Sequence, residues 1–284
     1  MPRFMSSAKS LIRRSALLAA AVFVSGAAAP NAVPPDFSLN GAGWEAPNGG
    51  DFITVPGSPP LMVSDPAHPY ISNAIARRTG QQPNYRIGDL SNPNLKQWAK
   101  DVMKKDNDEV LKGKIAYTPG QSCKPWGVPA MMLSGGPFFF VQTPKQVLLI
   151  EEGDRLARRI YMNVPHSANP APSWYGESVG RYEGDTLVVD TIGLNDKTFV
   201  DNYRTPHTTR LHVVERFTLL DGGKALEAEI RVEDPGAFTT PWTAIQRWRL
   251  REGRPVTEVV CAENNFGYYQ YDVRPIPTAG KPDF

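Results

Sequence analysis

Two hydrophobic periods run along this chain and divide it unevenly. In "ALEAEIRVE" (225–233), Leu226, Ala228, Ile230 and Val232 alternate with Glu227, Glu229, Arg231 and Glu233. That is the period of a strand with one buried and one wet face. Similar runs follow one another, split by turn-forming residues: "FFFVQ" and "QVLLIEE" around "TPK", "SVGRY" and "TLVVDT" around "EGD", "LHVVERFTLL" and "ALEAEIRVE" around "DGGK", "WTAIQRWRL" and "VTEVVCAE" around "REGRP". They predict four hairpins, with "RLARRIYM" as a further strand. Eight or nine strands with no helix between them predict a mainly β fold. It is either an antiparallel up-and-down barrel, lipocalin-like and enclosing a small-molecule cavity, or a strongly bent sheet; a sandwich is the structural alternative.

Helical spacing is confined to the region before these strands. In "SNPNLKQWAKDVMKKDNDEVLKG", Leu95, Trp98, Val102 and Met103 fall near one face and Gly113 ends the run, which predicts a helix over 91–112 packed through Trp98 with lysines outside. "ISNAIARR" (71–78) is a weaker second helix. Residues 29–90 otherwise form a lead rich in Pro, Gly and Asn, either wrapped on the domain or mobile. The helix and barrel then form one domain over 91–284.

The first 28 residues follow another grammar. Arg3, Lys9, Arg13 and Arg14 precede "SALLAAAVFVSGAAA", an apolar run too short to span a bilayer and ending in small residues. This predicts a cleaved signal peptide, removed after Ala28, and a destination outside the cytoplasm: periplasmic or secreted, by the general or the twin-arginine route. Without those four basic residues the chain holds 27 Lys and Arg against 29 Asp and Glu, a net charge of −2. Neither a nucleic-acid partner nor a membrane association after cleavage is expected. Cys123 and Cys261 are a candidate disulfide in an oxidising compartment, two free thiols being the alternative, and no further cysteine stands ready to build a metal site.

One residue breaks the strand pattern. In "TRLHVVERF" (209–217), Thr209, Leu211, Val213 and Phe217 share a face with Glu215. A carboxylate on an apolar face must be paired or protonated, so Glu215 is either bridged to an inward arginine or a catalytic acid–base group of raised pKa. The motifs of serine-elbow hydrolases, P-loop and dinucleotide-binding proteins and zinc peptidases are absent. The histidines His166 and His207 lie in loops, where functional side chains concentrate, whereas His212 on the wet face and His68 read as structural. Catalytic candidates are therefore His207, Glu215 and His166. Tyr203, Arg216, Trp174, Tyr175, Trp126 and Trp242 are the substrate-binding candidates, since aromatic rings with polar tips suit phenolic ligands.

Over residues 115–266, "CKPWGVPAMM", "RRIYMNVPH", "PSWYGESVGRYEGDTLVVDTIGLN", "TPHTTRLHVVERF" and "VVCAENN", in that order, resemble a large family of exported bacterial proteins abundant in sphingomonads and acidobacteria. Glu177 and Tyr182 stand where that family usually has His and Trp, and Ala262 and Asn264 alter its last motif. The resemblance implies, through the habitat of these bacteria, the processing of lignin-derived aromatics. Residues and resemblance together lead to an exported enzyme without cofactor or metal that acts on a small aromatic or phenolic compound. The expected reaction is acid–base, a lyase or isomerase, in its most concrete form a C–C cleavage releasing a fragment such as formaldehyde. The rival is a lipocalin-like periplasmic binding protein for aromatic or apolar molecules, without turnover. A homo-oligomer is compatible with either.

Overall fold

The computed structural model describes residues 33–46, 50–80, 86–114, 116–154, 156–253 and 256–257. The expected signal peptide, Cys261 and the second strand of the fourth hairpin lie outside the described residues.

The strands are β1 (Gly43–Glu45), β2 (Ile53–Thr54), β3 (Phe138–Gln142), β4 (Gln146–Glu151), β5 (Arg158–Met162), β6 (Glu177–Glu183), β7 (Thr186–Ile192), β8 (His212–Leu220), β9 (Ala225–Glu233) and β10 (Trp242–Arg251). Strands β3 to β10 pair in chain order, and β1 joins β3 to β10 and closes the ring. Nine strands thus form the barrel, with β2 attached outside to β10. The first three expected hairpins are present. The barrel is not wholly antiparallel: β5 and β6 run parallel. A parallel step needs a long crossover, and the Pro-rich stretch 163–176 supplies it. The lead wraps the barrel: it contributes β1 and β2, while Phe37 stacks on Phe140 with centroids 5.4 Å apart.

Helix α1 (Asn73–Thr79) begins at Ser72, whose hydroxyl accepts the Ile75 N–H. Helix α2 (Gln97–Leu111) begins later than its periodicity predicts, because Asp89 and Asn92 fold 89–94 into turns by accepting the N–H groups of Ser91 and Asn94. Its buried stripe is Ala99, Met103, Asn107 and Val110. Trp98 and Val102 sit to one side of that stripe, partly exposed, with the Trp98 indole donating to the Gly236 carbonyl. Lys104 and Lys105 are exposed on the outer face, as expected.

Inside, the barrel is full. Phe138, Phe140, Phe217 and Trp248 meet edge-on or tilted, with centroids 5.6–6.5 Å apart. The gap they leave with Met132, Leu149 and Leu226 admits no water. Segment 130–133 plugs one end, where Gln246 Nε2 donates to the Met132 carbonyl at 3.1 Å. Among the described residues the lumen is a packed core with no ligand cavity of the lipocalin kind.

Among the described residues one ion pair lies fully inside this core. Arg158 on β5 and Glu215 on β8 are both fully buried. The guanidinium donates to Glu215 Oε1 at 2.7 Å and, from Nη2, to Oε2; it also donates to Thr191 Oγ1 on β7 at 2.8 Å and to Ser178 Oγ on β6 at 3.1 Å. Breaking such a pair strands a charge. Glu215→Ala is expected to destabilise the protein by about 3–5 kcal/mol, and the double replacement Arg158→Met with Glu215→Leu to recover most of that loss. Urea unfolding measures both; a single-variant cost under about 1 kcal/mol would contradict the account.

Candidate functional site

The tight turns β3–β4, β6–β7 and β8–β9 crowd one end of the barrel. The other end receives the long connections: 193–211 after β7, 234–241 after β9 and 152–157 after β4. The chain's functional groups concentrate there, on loops fixed by a rigid ring of strands.

Loop 199–206 is built on Asp201. Its Oδ1 accepts the N–H of Tyr203 at 2.8 Å and of Thr205 at 3.1 Å, a turn that aims Tyr203 back over the strand ends. The Tyr203 hydroxyl donates to Asp51 Oδ2 at 2.8 Å and lies 3.3 Å from Ser64 Oγ. Arg86 Nε donates to Asp51 Oδ1 at 2.9 Å. Asn92 Nδ2 donates to the carbonyls of Pro60 and Leu61, both at 3.1 Å. These bonds draw the lead across loop 199–206, and the narrow cleft left between them has about 20 Å³ of open volume, room for about one water. Phe52, Phe238 and Trp242 form its aromatic wall, with Trp242 centroids 6.0 Å from Phe52 and 5.9 Å from Phe238. Leu61, Met62, Leu95 and Leu133 add aliphatic surface, and Asp51, Asp201, Tyr203 and Thr205 bring polar groups. This mix of apolar wall and few convergent polar groups is the lining of a small-molecule site, in a cleft much smaller than such sites usually are.

Electrostatics single out Asp201. Burial raises its pKa from an ordinary 3.8 to about 6, against the lowering pull of the bonds from Thr205 and Tyr203, while nearby Asp51 pushes it further up. The residue as a whole is partly exposed, while its carboxylate lies deep and lines the cleft. Tyr203 is pushed up to about 12, chiefly by burial, so its hydroxyl stays a donor at neutral pH.

No family model, curated protein or solved structure matches this chain.

The three residues expected to be catalytic stand in three separate surroundings. Glu215 spends both oxygens on Arg158 inside the barrel. His207 is 3% exposed: its Nδ1 lies 3.0 Å from the Thr208 carbonyl and must donate to it, leaving Nε2 to accept from Thr198 Oγ1 at 2.8 Å. Burial holds its pKa below the ordinary value. It borders an open groove with Trp98, Val102 and Phe199, not the Asp201 pocket. His166 lies on the outer face, with Nδ1 3.0 Å from Glu177 Oε1 and Nε2 3.1 Å from Asp190 Oδ1. His212 Nε2 meets the same Asp190 oxygen at 2.8 Å. Partial burial of Asp190 is outweighed there by bonds from the two histidines, which hold its carboxyl below the ordinary range; the Asp190 bond in turn raises His212. Glu177, at the resembled family's histidine position, clasps the crossover through Ser167 and His166.

Among the substrate-binding candidates, Tyr203 and Trp242 come together in the Asp201 pocket. Arg216 points outward and pairs with Glu183 at 2.9 Å. Tyr175 and Trp126 both bind Asp154, through the phenol hydroxyl and the backbone N–H respectively; burial and then Asp154 push the Tyr175 phenol up. Trp174 carries Lys124 Nζ 6.0 Å from its ring centroid. Cys123 is disulfide-bonded. Among the described residues no His, Cys, Asp and Glu group is arranged to hold a metal, and no helix is long and apolar enough to cross a membrane.

Asp201 and Asp51 were missed because neither lies in a strand, where a wrong-face residue stands out by counting. The available signal is local: "DNY" opens the loop with an Asx-turn residue two places before an aromatic.

A raised carboxylate pKa means that the folded state binds the proton more tightly. Asp201 therefore favours folding at low pH and loses that contribution as pH rises from about 4 to about 6, by up to about 3 kcal/mol. Asp201→Asn keeps the turn-forming oxygen and removes the charge. Compared with the parent by denaturant unfolding across this window, the variant is expected to gain relative stability as pH rises; a constant difference would refute the assignment.

Proposed function

We propose that the chain is an acid–base enzyme acting on a small aromatic or phenolic molecule held in the Asp201 pocket. The observation that carries this reading is a carboxylate with a pKa near 6 at an aromatic-walled pocket. Asp201, ionised at neutral pH, takes a hydroxyl proton from the ligand; Trp242 and Phe238 flank its ring; Tyr203 offers a neutral donor to a ligand oxygen. This role passes from His207 and Glu215 to Asp201 because the ring nitrogens of His207 and the oxygens of Glu215 are already engaged.

The lyase form of the reaction balances with these groups alone. The base removes the proton of a hydroxymethyl group, the adjacent C–C bond breaks as the C=O of formaldehyde forms, and the carbanion left on the aromatic fragment takes a proton from the acid. The export signal and the family resemblance support an extracellular or periplasmic setting and a lignin-derived substrate. As it stands the cleft has room for about one water, so a ring enters only when the lead at Asp51 and Phe52 moves off loop 199–206.

The purified chain, incubated with β-linked aromatic dimers and single-ring phenolic alcohols, is expected to release formaldehyde and the shortened aromatic product, measured by mass spectrometry. Asp201→Asn should lower kcat about 10²–10⁴-fold with KM little changed. The parent rate should fall below about pH 6 as Asp201 is protonated. Binding without turnover would favour the carrier reading, and an Asp201→Asn variant as active as the parent would end the proposed role.

A further inference from the structure

The Asp201 pocket has an unbalanced charge. Two carboxylates, Asp51 and Asp201, line it, and none of the described lining residues is a lysine, arginine or histidine. Asp51 is compensated, since Arg86 Nε stands 2.9 Å from one of its oxygens and the Tyr203 hydroxyl 2.8 Å from the other. Asp201 has only neutral partners in its own turn, the N–H groups of Tyr203 and Thr205. The lining amides do not redress the balance, because Asn92 and Asn94 turn their Nδ2 atoms onto the carbonyls of Pro60, Leu61 and Thr240. A ligand entering between Trp242 and Asp201 therefore meets one uncompensated negative charge beside aromatic faces, which themselves attract cations.

We propose that this pocket selects by charge: it takes a small aromatic molecule whose polar substituent is a hydrogen-bond donor or a cation, and it rejects the aromatic carboxylate of the same skeleton. The inference rests on the reading of the pocket as the ligand site and adds a rule for which ligands pass. Two like charges about 5 Å apart in a partly buried site repel enough to weaken binding on the order of 100-fold. A protonated amine gains from the same field. Aromatic acids are then poor ligands even where their ring fits, and an acid product would leave readily.

Isothermal titration of the full-length mature chain at neutral pH with benzylamine, benzyl alcohol and benzoate tests this. The amine should bind at least as tightly as the alcohol, and benzoate about 100-fold more weakly than the alcohol. Asp201→Asn should narrow the alcohol–benzoate gap to about tenfold or less. Trp242→Ala should weaken all three alike. Benzoate binding as tightly as the alcohol, or a gap unchanged in Asp201→Asn, overturns charge selection. If the three bind equally but Trp242→Ala abolishes them, the pocket reading stands and the charge rule falls. If none binds a chain shown by its unfolding curve to be folded, both fall.

Discussion

A guanidinium buried away from water must find an acceptor for its N–H groups, and in this protein that requirement fixes about a third of the barrel. Arg158 stands on β5 and donates to β6, β7 and β8 at once. Each bond has its partner only if all four strands hold their present register, because a one-residue slip sends a side chain to the opposite face. The parallel β5–β6 step is the least expected pairing in the ring, and it lies at the centre of this network. A buried pair contributes little net stability once desolvation is counted. Its value here is geometric: slipped pairings would leave a charge unmatched in a packed core.

The same packing determines where a ligand can go. Phenylalanine and tryptophan side chains fill the lumen, and loops and the lead cover the end where the long connections gather. At that end, outside the ring, the small Asp201 cleft lies between elements distant in sequence: Asp51 and Phe52 from the lead, Asp201 and Tyr203 after β7, Phe238 and Trp242 around the start of β10. The barrel supplies rigidity and the connections supply chemistry.

Period counting located the strands and three of the hairpins, since a two-residue repeat with one wet face is a local property. It also found Glu215, for the reason that a carboxylate among Val213 and Phe217 is conspicuous. It could not name Arg158 as the partner: in "RLARRIYM" the neighbouring Arg159 has the same chemistry, and only the barrel decides which one turns inward. The parallel pairing was hidden because a strand's pattern carries its faces but not its direction. In α2, Trp98 and Val102 looked like core by spacing, whereas the buried stripe runs through Ala99 and Met103. Asp201 was invisible for a different reason. A loop has no repeat against which a residue can be out of place, and its raised pKa comes from walls contributed by three remote segments.

Strand β1 holds three residues, Gly43 to Glu45, and it meets Arg249 to Leu250 and Arg251 of β10 across some two hundred positions. Its contact with β3 is a single pair, Trp44 with Phe138. Among the described strands β1 emerges first during synthesis and its main partner last, so the hairpins of the middle can form while the ring stays open. Closure carries the loop-closure entropy of nearly the whole domain and comes late, as non-local pairings do. Until then Trp44 and Trp248 lack the lid that buries them, and β10 presents an unpaired edge. The seam between first and last strand is thus where this fold is completed, and where an unfinished chain is most exposed to wrong partners.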